Sequence, residues 1–243
     1  MDGAIAYAES IRAKITDPGI AEAVDKELIV VYGEAGKMDK MLAIAGRMET
    51  AGKLSFGDYW SIIESGMQAE DWKLVRDYCV KAKGMANAET FKSDYPDYEM
   101  SDEELKEAGD NRAGMLMIAD GWARANQGET DEALADFAAA DKLVRRSMFD
   151  RPEYDLYVYW AKTSLMKGDY QEAIDRCAVD ALVMKNDDAL ADMKKAYAGL
   201  NGSDDGFDVY CKDLHKKIAK SVEDFELADY DGNSHKYGDI KGQ

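Results

Sequence analysis

Hydrophobic positions recur along most of this chain with a helical rhythm, and the rhythm itself repeats. Gly36, in GEAGKMDK, precedes apolar residues at Met41, Ala45 and Met48, and Glu70, in QAEDWKLV, 34 residues on, precedes Val75, Cys79 and Ala82. Gly128 leads to Ala133, Phe137 and Ala140; Gly168 leads to Ala173 and Cys177; Gly202, again 34 residues later, leads to Phe207, Cys211 and Leu214. Offsets of 5, 9 and 12 from each turn put these side chains on one face of an α-helix. The pattern breaks at Asp180, where Ala181 stands one place late. A second amphipathic stretch lies before each turn, as at Tyr59, Ile62 and Ile63 or Tyr157, Trp160 and Ala161. The predicted unit is helix, tight turn, helix.

On this register the units cover 22–55, 56–89, 114–147, 154–187 and 188–221. The first helices of the third and fifth units keep the spacing poorly, with Asp120 and Lys194 in places where an apolar residue is expected. Residues 2–16 read as a second helix without its first, ended by Asp17-Pro18-Gly19, which predicts a chain that extends further upstream. Two insertions interrupt the array. Residues 148–153 form a short spacer with Met148, Phe149 and Pro152. Residues 90–113 hold a Tyr95-Pro96-Asp97-Tyr98 loop, then the capping-box signature Ser101-Asp102-Glu103-Glu104, predicted to start a helix running on into the third unit. Such an insertion contributes to binding or simply fills a gap between units, and the pattern does not choose.

A helix-turn-helix period of 34 residues resembles the tetratricopeptide repeat, best in YDLYVYWAKTSLMKGDYQEAIDRC at 154–177, where Gly168-Asp169-Tyr170-Gln171-Glu172-Ala173 is similar to that family's turn and second-helix start. The implied fold class is all-α: a solenoid of about five such units plus a leading helix, with a short extended or β-hairpin C-terminal tail. The resemblance also implies that the first helices line a concave groove where peptides or partner proteins dock. By helical spacing the groove-facing residues are Lys26, Val30, Trp60, Glu64, Met67, Ile118, Trp122, Val158 and Lys162. Lys26 and Lys162 alone fall short of the basic clamp with which one subclass of these repeats grips a C-terminal carboxylate. The aromatic positions favour a partner segment with apolar anchors. For Trp60 and Trp122, packing between units is the competing reading.

Composition supports a packed chain and removes some partners. The sequence has 243 residues, 46% of them hydrophobic, with three prolines, which suits a helix-rich protein with a sizeable core. A formal charge of −18 repels phosphate backbones and anionic head groups, so nucleic acid and membrane surfaces are poor partners. No apolar run approaches the roughly 18 residues a membrane span needs, and the N-terminus, with Asp2, Glu9, Arg12 and Lys14, lacks the apolar block of a secretion signal.

No catalytic constellation emerges. Cys79, Cys177 and Cys211 each stand nine residues past a turn on the apolar face, without a Cys-x-x-Cys, and read as core residues. His215 and His235 are the only histidines and too few for a zinc site. Asp229-Tyr230-Asp231-Gly232-Asn233 opens like a calcium loop but fails at Ser234 and Ile240. No metal or cofactor is expected, and no phosphate loop or nucleophile elbow occurs. Asn201-Gly202-Ser203 matches a glycosylation acceptor and also serves as the turn of the fifth unit.

The last twenty residues depart from the helical rhythm. Phe225 and Leu227 alternate with charged neighbours, and Asp231-Gly232-Asn233 is a strong turn signal. The order Asp224-Phe225-Glu226-Leu227, the Asp-Gly turn, then Gly238-Asp239-Ile240-Lys241-Gly242-Gln243 resembles the opening of the thioredoxin-fold redoxins, among them exported thiol:disulfide oxidoreductases and peroxiredoxin-like proteins. Ile240 and Gln243 replace that pattern's leucine and final lysine. The resemblance implies a repeat domain at 1–221 and, at 222–243, a linker and the truncated start of a thioredoxin-like domain whose redox cysteines lie downstream. It also implies a periplasmic or cell-envelope location. The expected function is then a protein- or peptide-binding helical module of such a redoxin, itself not an enzyme. The alternative is a free-standing interaction scaffold whose tail caps the last helix pair.

Overall fold

The computed structural model describes residues 2–147, 151–218, 226–228 and 234–236. Among them are twelve α-helices: α1 (Asp2–Arg12), α2 (Pro18–Glu34), α3 (Met38–Thr50), α4 (Phe56–Gln68), α5 (Trp72–Ala82), α6 (Ala88–Asp94), α7 (Asp102–Asn126), α8 (Thr130–Ala140), α9 (Leu156–Lys167), α10 (Tyr170–Leu182), α11 (Asp187–Asn201) and α12 (Phe207–Ile218). The fold is all-α through residue 218. Helices α2/α3, α4/α5, α7/α8, α9/α10 and α11/α12 follow one another as five helix-turn-helix pairs in sequence; the first four pack as pairs, whereas α12 packs on α10.

The turns within four of these pairs share one backbone device. Gly36, Glu70, Gly128 and Gly168 adopt positive φ of 65°, 55°, 88° and 82°. After them the N–H groups of Lys37, Asp71, Glu129 and Asp169 reach back to the carbonyls of Tyr32, Gly66, Arg124 and Ser164 at 2.8–3.0 Å. This is the Schellman arrangement, which satisfies carbonyls that a helix end leaves unpaired. At the fifth turn Gly202, at φ 79°, donates only to Ala198 O, and the next helix starts later, after a second positive-φ residue, Gly206. The side chains 5, 9 and 12 places past the turns are buried in the first three pairs, from Met41 to Ala140. In α12 the face loosens: Phe207 is buried, whereas Cys211 and Leu214 are half-buried.

Successive pairs bury one apolar face against the next. Helix α2 packs on α4, α5 on α7, α8 on α9, α11 on α9 and α10, and α12 on α10. Helix α7 is shared: Met115, Leu116, Ala119 and Ala123 belong to the core of the N-terminal helices, while Ile118 and Ala125 join Phe137, Leu156 and Trp160. Burying each large aliphatic side chain contributes about 1.5–3 kcal/mol, and this packing holds together helices that are too short to be stable alone.

Three departures from the strict repeat register have physical causes, the second of them already signalled by the capping-box sequence. Asp17 starts a helix as well as following one, since its carboxylate accepts from Gly19 N and Ile20 N with Pro18 in the first turn, so α2 begins before residue 22. The third unit's first helix begins far upstream of residue 114, because the Ser101 capping box opens a continuous 25-residue α7. The polar residues at Asp120 and Lys194 are satisfied by ion pairs: Asp120 lies 3.3 Å from Arg76 and 2.8 Å from Arg124, and Lys194 lies 2.8 Å from Asp204.

The 90–113 insertion folds back over α7. Helix α6 crosses at Gly109, where a Cβ would come within 2.7 Å of the backbone of Asn87 and Ala88. Beneath it the buried Arg112 guanidinium lies 4.5 Å from the Phe56 ring and 4.6 Å from the Phe91 ring and pairs with Asp94 at 2.8 Å. In the tail, strands β1 (Glu226–Ala228) and β2 (Ser234–Lys236) pair antiparallel, with Leu227 opposite His235. Phe225, the Asp231-Gly232-Asn233 turn signal, Met148 and Phe149 lie outside the described residues.

Candidate binding pocket

Four of the nine groove positions named from the sequence meet in one place. Trp60, Glu64 and Met67, at helical spacing on α4, face Ile118 of α7 across a 280 Å³ pocket closed by Tyr154, Asp155 and Tyr159 at the start of α9. Gln68 and Ala119 complete its lining. Ile118 is 1% exposed, so it forms the floor and belongs to the core. Trp60 and Met67 are half-buried, and Glu64 and Asp155 are exposed.

The wall supplied by the 154–159 segment is held from behind. Asn111, buried on α7, donates from Nδ2 to Tyr154 Oη at 3.0 Å, and its Oδ1 accepts the Arg145 N–H at 2.9 Å. Tyr154 packs edge-on to Trp60, their ring centres 6.3 Å apart. Tyr154 and Asp155 are consecutive non-glycine residues in the left-handed region, at φ 64° and 56°. Each such residue costs on the order of 1 kcal/mol. The strained pair turns the chain abruptly into α9, with Tyr154 against Trp60 and Asp155 at the pocket edge.

The remaining predicted positions separate from this pocket. Trp122 stacks on Tyr159 at 4.7 Å and meets Trp72 edge-on at 6.2 Å, backing the wall while lying outside the lining. Val158 and Lys162 line a second pocket of 340 Å³ between α9, α10 and α11, with Asp180, Asp188 and Asp192. Lys26 is engaged by Asp58 at 3.4 Å, and Val30 is exposed on α2, away from both. The sequence reading missed Tyr154, Asp155 and Tyr159. Their signal was present in the aromatic run YDLYVYW, but helical spacing from Val158 and Lys162 selects the neighbouring face.

The electrostatics of the first pocket are acidic. No lysine or arginine lines it. Neither the Glu64 nor the Asp155 carboxylate makes a hydrogen bond or ion pair among the described residues. Burial raises the pKa of the Tyr159 phenol, and the negative charges of Asp155 and Glu64 raise it further, so both carboxylates act on the same ring.

The thiols offer no nucleophile. Cys79, Cys177 and Cys211 are free. Burial pushes all three upward, Cys177 to about 12, with the acidic neighbours Asp192 and Asp180 adding to it. They stay protonated at neutral pH. No group of three or more metal-ligating side chains is gathered among the described residues, and no helix there is long and apolar enough to cross a membrane. No protein-family profile matches the chain, nor does any curated protein.

Proposed function

We propose that this chain is a docking module: a tetratricopeptide-like array of helix pairs that captures a peptide segment of a partner protein in the pocket between α4, α7 and α9. The observation that carries the reading is a partly open, aromatic-walled pocket maintained by a strained backbone turn and a buried asparagine. Strain and a buried polar anchor are retained against their cost where a surface has work to do. The repeat reading is supported by the four equivalent Schellman turns and by the way each pair stacks on the one before. Selection of binders from a displayed peptide library, followed by affinity measurement with Trp60→Ala, tests the proposal. Binders that lose at least about tenfold in affinity to the folded variant support it, and binders indifferent to Trp60 refute the site.

A second reading concerns what the module serves. The 224–243 pattern favours a redoxin of the cell envelope, in which the array positions a partner near a thioredoxin-fold domain. The short β1–β2 ladder suits that pattern and equally suits a hairpin that caps a free-standing scaffold. Reading the parent gene beyond Gln243 separates the two, since the redoxin requires a Cys-x-x-Cys or a peroxidatic cysteine within a domain's length.

A further inference from the structure

The pocket has the chemistry of a cation receptor, and the fold displays the same chemistry elsewhere with the cation in place. Arg112 rests against the Phe56 and Phe91 rings and pairs with Asp94 at 2.8 Å. Arg176 lies 3.7 Å from the Trp160 ring centre and pairs with Glu172 at 2.8 Å. In both, aromatic faces hold a planar guanidinium and one carboxylate fixes its charge. A further gathering of aromatic rings and carboxylates, Trp60 and Tyr159 with Glu64 and Asp155, contains no basic side chain.

From this we infer that the pocket receives one arginine or lysine side chain of the partner segment. The aliphatic stem lies along Trp60, Met67 and Ile118, and the charged head reaches Glu64 and Asp155. Such side chains bury an apolar stem while keeping a polar head, which matches a pocket with an apolar floor and an acidic rim. The formal charge of −18 adds long-range attraction for a basic segment. An apolar anchor alone would fill the floor and leave the two exposed carboxylates without a counter-charge.

The inference rests on the docking proposal, and a single experiment separates their failures. A random peptide library is selected on the full wild-type chain, and the binders are measured against Glu64→Gln, Asp155→Asn, the double variant and Trp60→Ala, each checked for an unchanged circular dichroism spectrum. The expected result is arginine or lysine enriched at one position, flanked by apolar residues. Affinity should fall about tenfold in the double variant, and a norleucine substitution in the peptide should cost as much while erasing the difference between wild type and variant. Binders that depend on Trp60 but carry no basic residue overturn the cation and leave the docking site standing. Basic binders equally tight on the double variant also overturn it, because their attraction is then to the general charge. A library that yields no binder overturns both proposals.

Discussion

Arg151, in the spacer between the third and fourth helix pairs, closes an ion pair with Asp180, the carboxylate that stands at a core position of α10. The interruption in the apolar pattern is thereby explained: the polar residue is matched by a cation delivered from the insertion. Burial raises the pKa of Asp180, and Arg151 opposes that rise. Removing one partner of a buried pair costs about 3 kcal/mol, whereas replacing both with apolar groups is near neutral. Arg151→Met should therefore destabilise the chain by about that amount, and Arg151→Met with Asp180→Val by less than about 1 kcal/mol. The single variant should also recover stability as pH falls from 7 toward the ordinary carboxyl value of 3.8, because a carboxyl with a raised pKa favours the folded state when protonated. Urea titrations at the two ends of that range check both outcomes.

Glu70 is the non-glycine residue among the five intra-pair turns, held at φ 55° where the others have glycine. An L side chain there costs about 1–2 kcal/mol, part of which glycine returns through the greater freedom of its unfolded chain. Glu70→Gly should stabilise by about 0.5–1 kcal/mol and raise the melting temperature by about 2 °C. Gly168→Ala, at φ 82° in the equivalent turn, should act in the opposite direction. Thermal melts of the two variants decide whether the turns are interchangeable.

The helix pairs were legible because their information is local: a turn residue and an apolar stripe lie within one unit of sequence. The site was half legible. Trp60, Glu64 and Met67 share one helix face, so spacing groups them. Their partners come from 154–159, whose direction depends on two left-handed residues and on Asn111, and no periodicity encodes either. Spacing also cannot tell that Trp122 stacks face to face on Tyr159 while Trp60, equally half-buried, meets Tyr154 only by its edge, because the difference lies in which neighbour each ring meets. Asp180 looked like a defect for a similar reason, since its partner lies 29 residues away in sequence.

Glu9 ties the leading helix to the array: its carboxylate accepts from Tyr32 Oη at 2.5 Å and from Lys40 Nζ at 2.6 Å. Lys40 and Tyr32 hold the Glu9 pKa below its usual 4.5. A depressed carboxylate contributes stability above its unfolded pKa and loses it as pH falls through the folded one. Burial, with Glu9 adding to it, raises Tyr32 to about 12, so that contribution is complete below pH 10 and is lost as pH rises through about 12. Below pH 4.5, α1 should loosen before the remaining helices, broadening the methyl resonance of the buried Ile5. Glu9→Gln should show the same loosening at pH 7. An Ile5 signal unchanged down to pH 3 would assign the docking of α1 to the Arg12–Asp25 pair at 2.7 Å instead.

Gly109 makes the insertion part of the fold. Helix α6 crosses there with its backbone in the space a Cβ would occupy, at 2.7 Å, and backbone cannot swing aside as a side chain can. Gly109→Ala should displace α6, open the aromatic cover of Arg112 and cost about 1–3 kcal/mol, with any gain in α7 helix propensity smaller than that. Proteolysis between α6 and α7 should accelerate with it. An unchanged urea midpoint would make α6 an ornament on α7.

Trp60 and Trp122 should respond differently to truncation because their surroundings differ. Trp122 is gripped on two sides, by Tyr159 at 4.7 Å and Trp72 at 6.2 Å, so Trp122→Ala removes the centre of an aromatic stack and should cost about 3 kcal/mol. Trp60 meets Tyr154 by its edge and opens onto the pocket, so Trp60→Ala should cost about 1–2 kcal/mol. Peptide affinity, measured where both variants are fully folded, should fall at least about tenfold for Trp60→Ala. It should fall less for Trp122→Ala, which acts on the ligand only through Tyr159. If the urea midpoint drops as far for Trp60→Ala as for Trp122→Ala, Trp60 is a core residue, and the pocket loses the side chain on which its function depends.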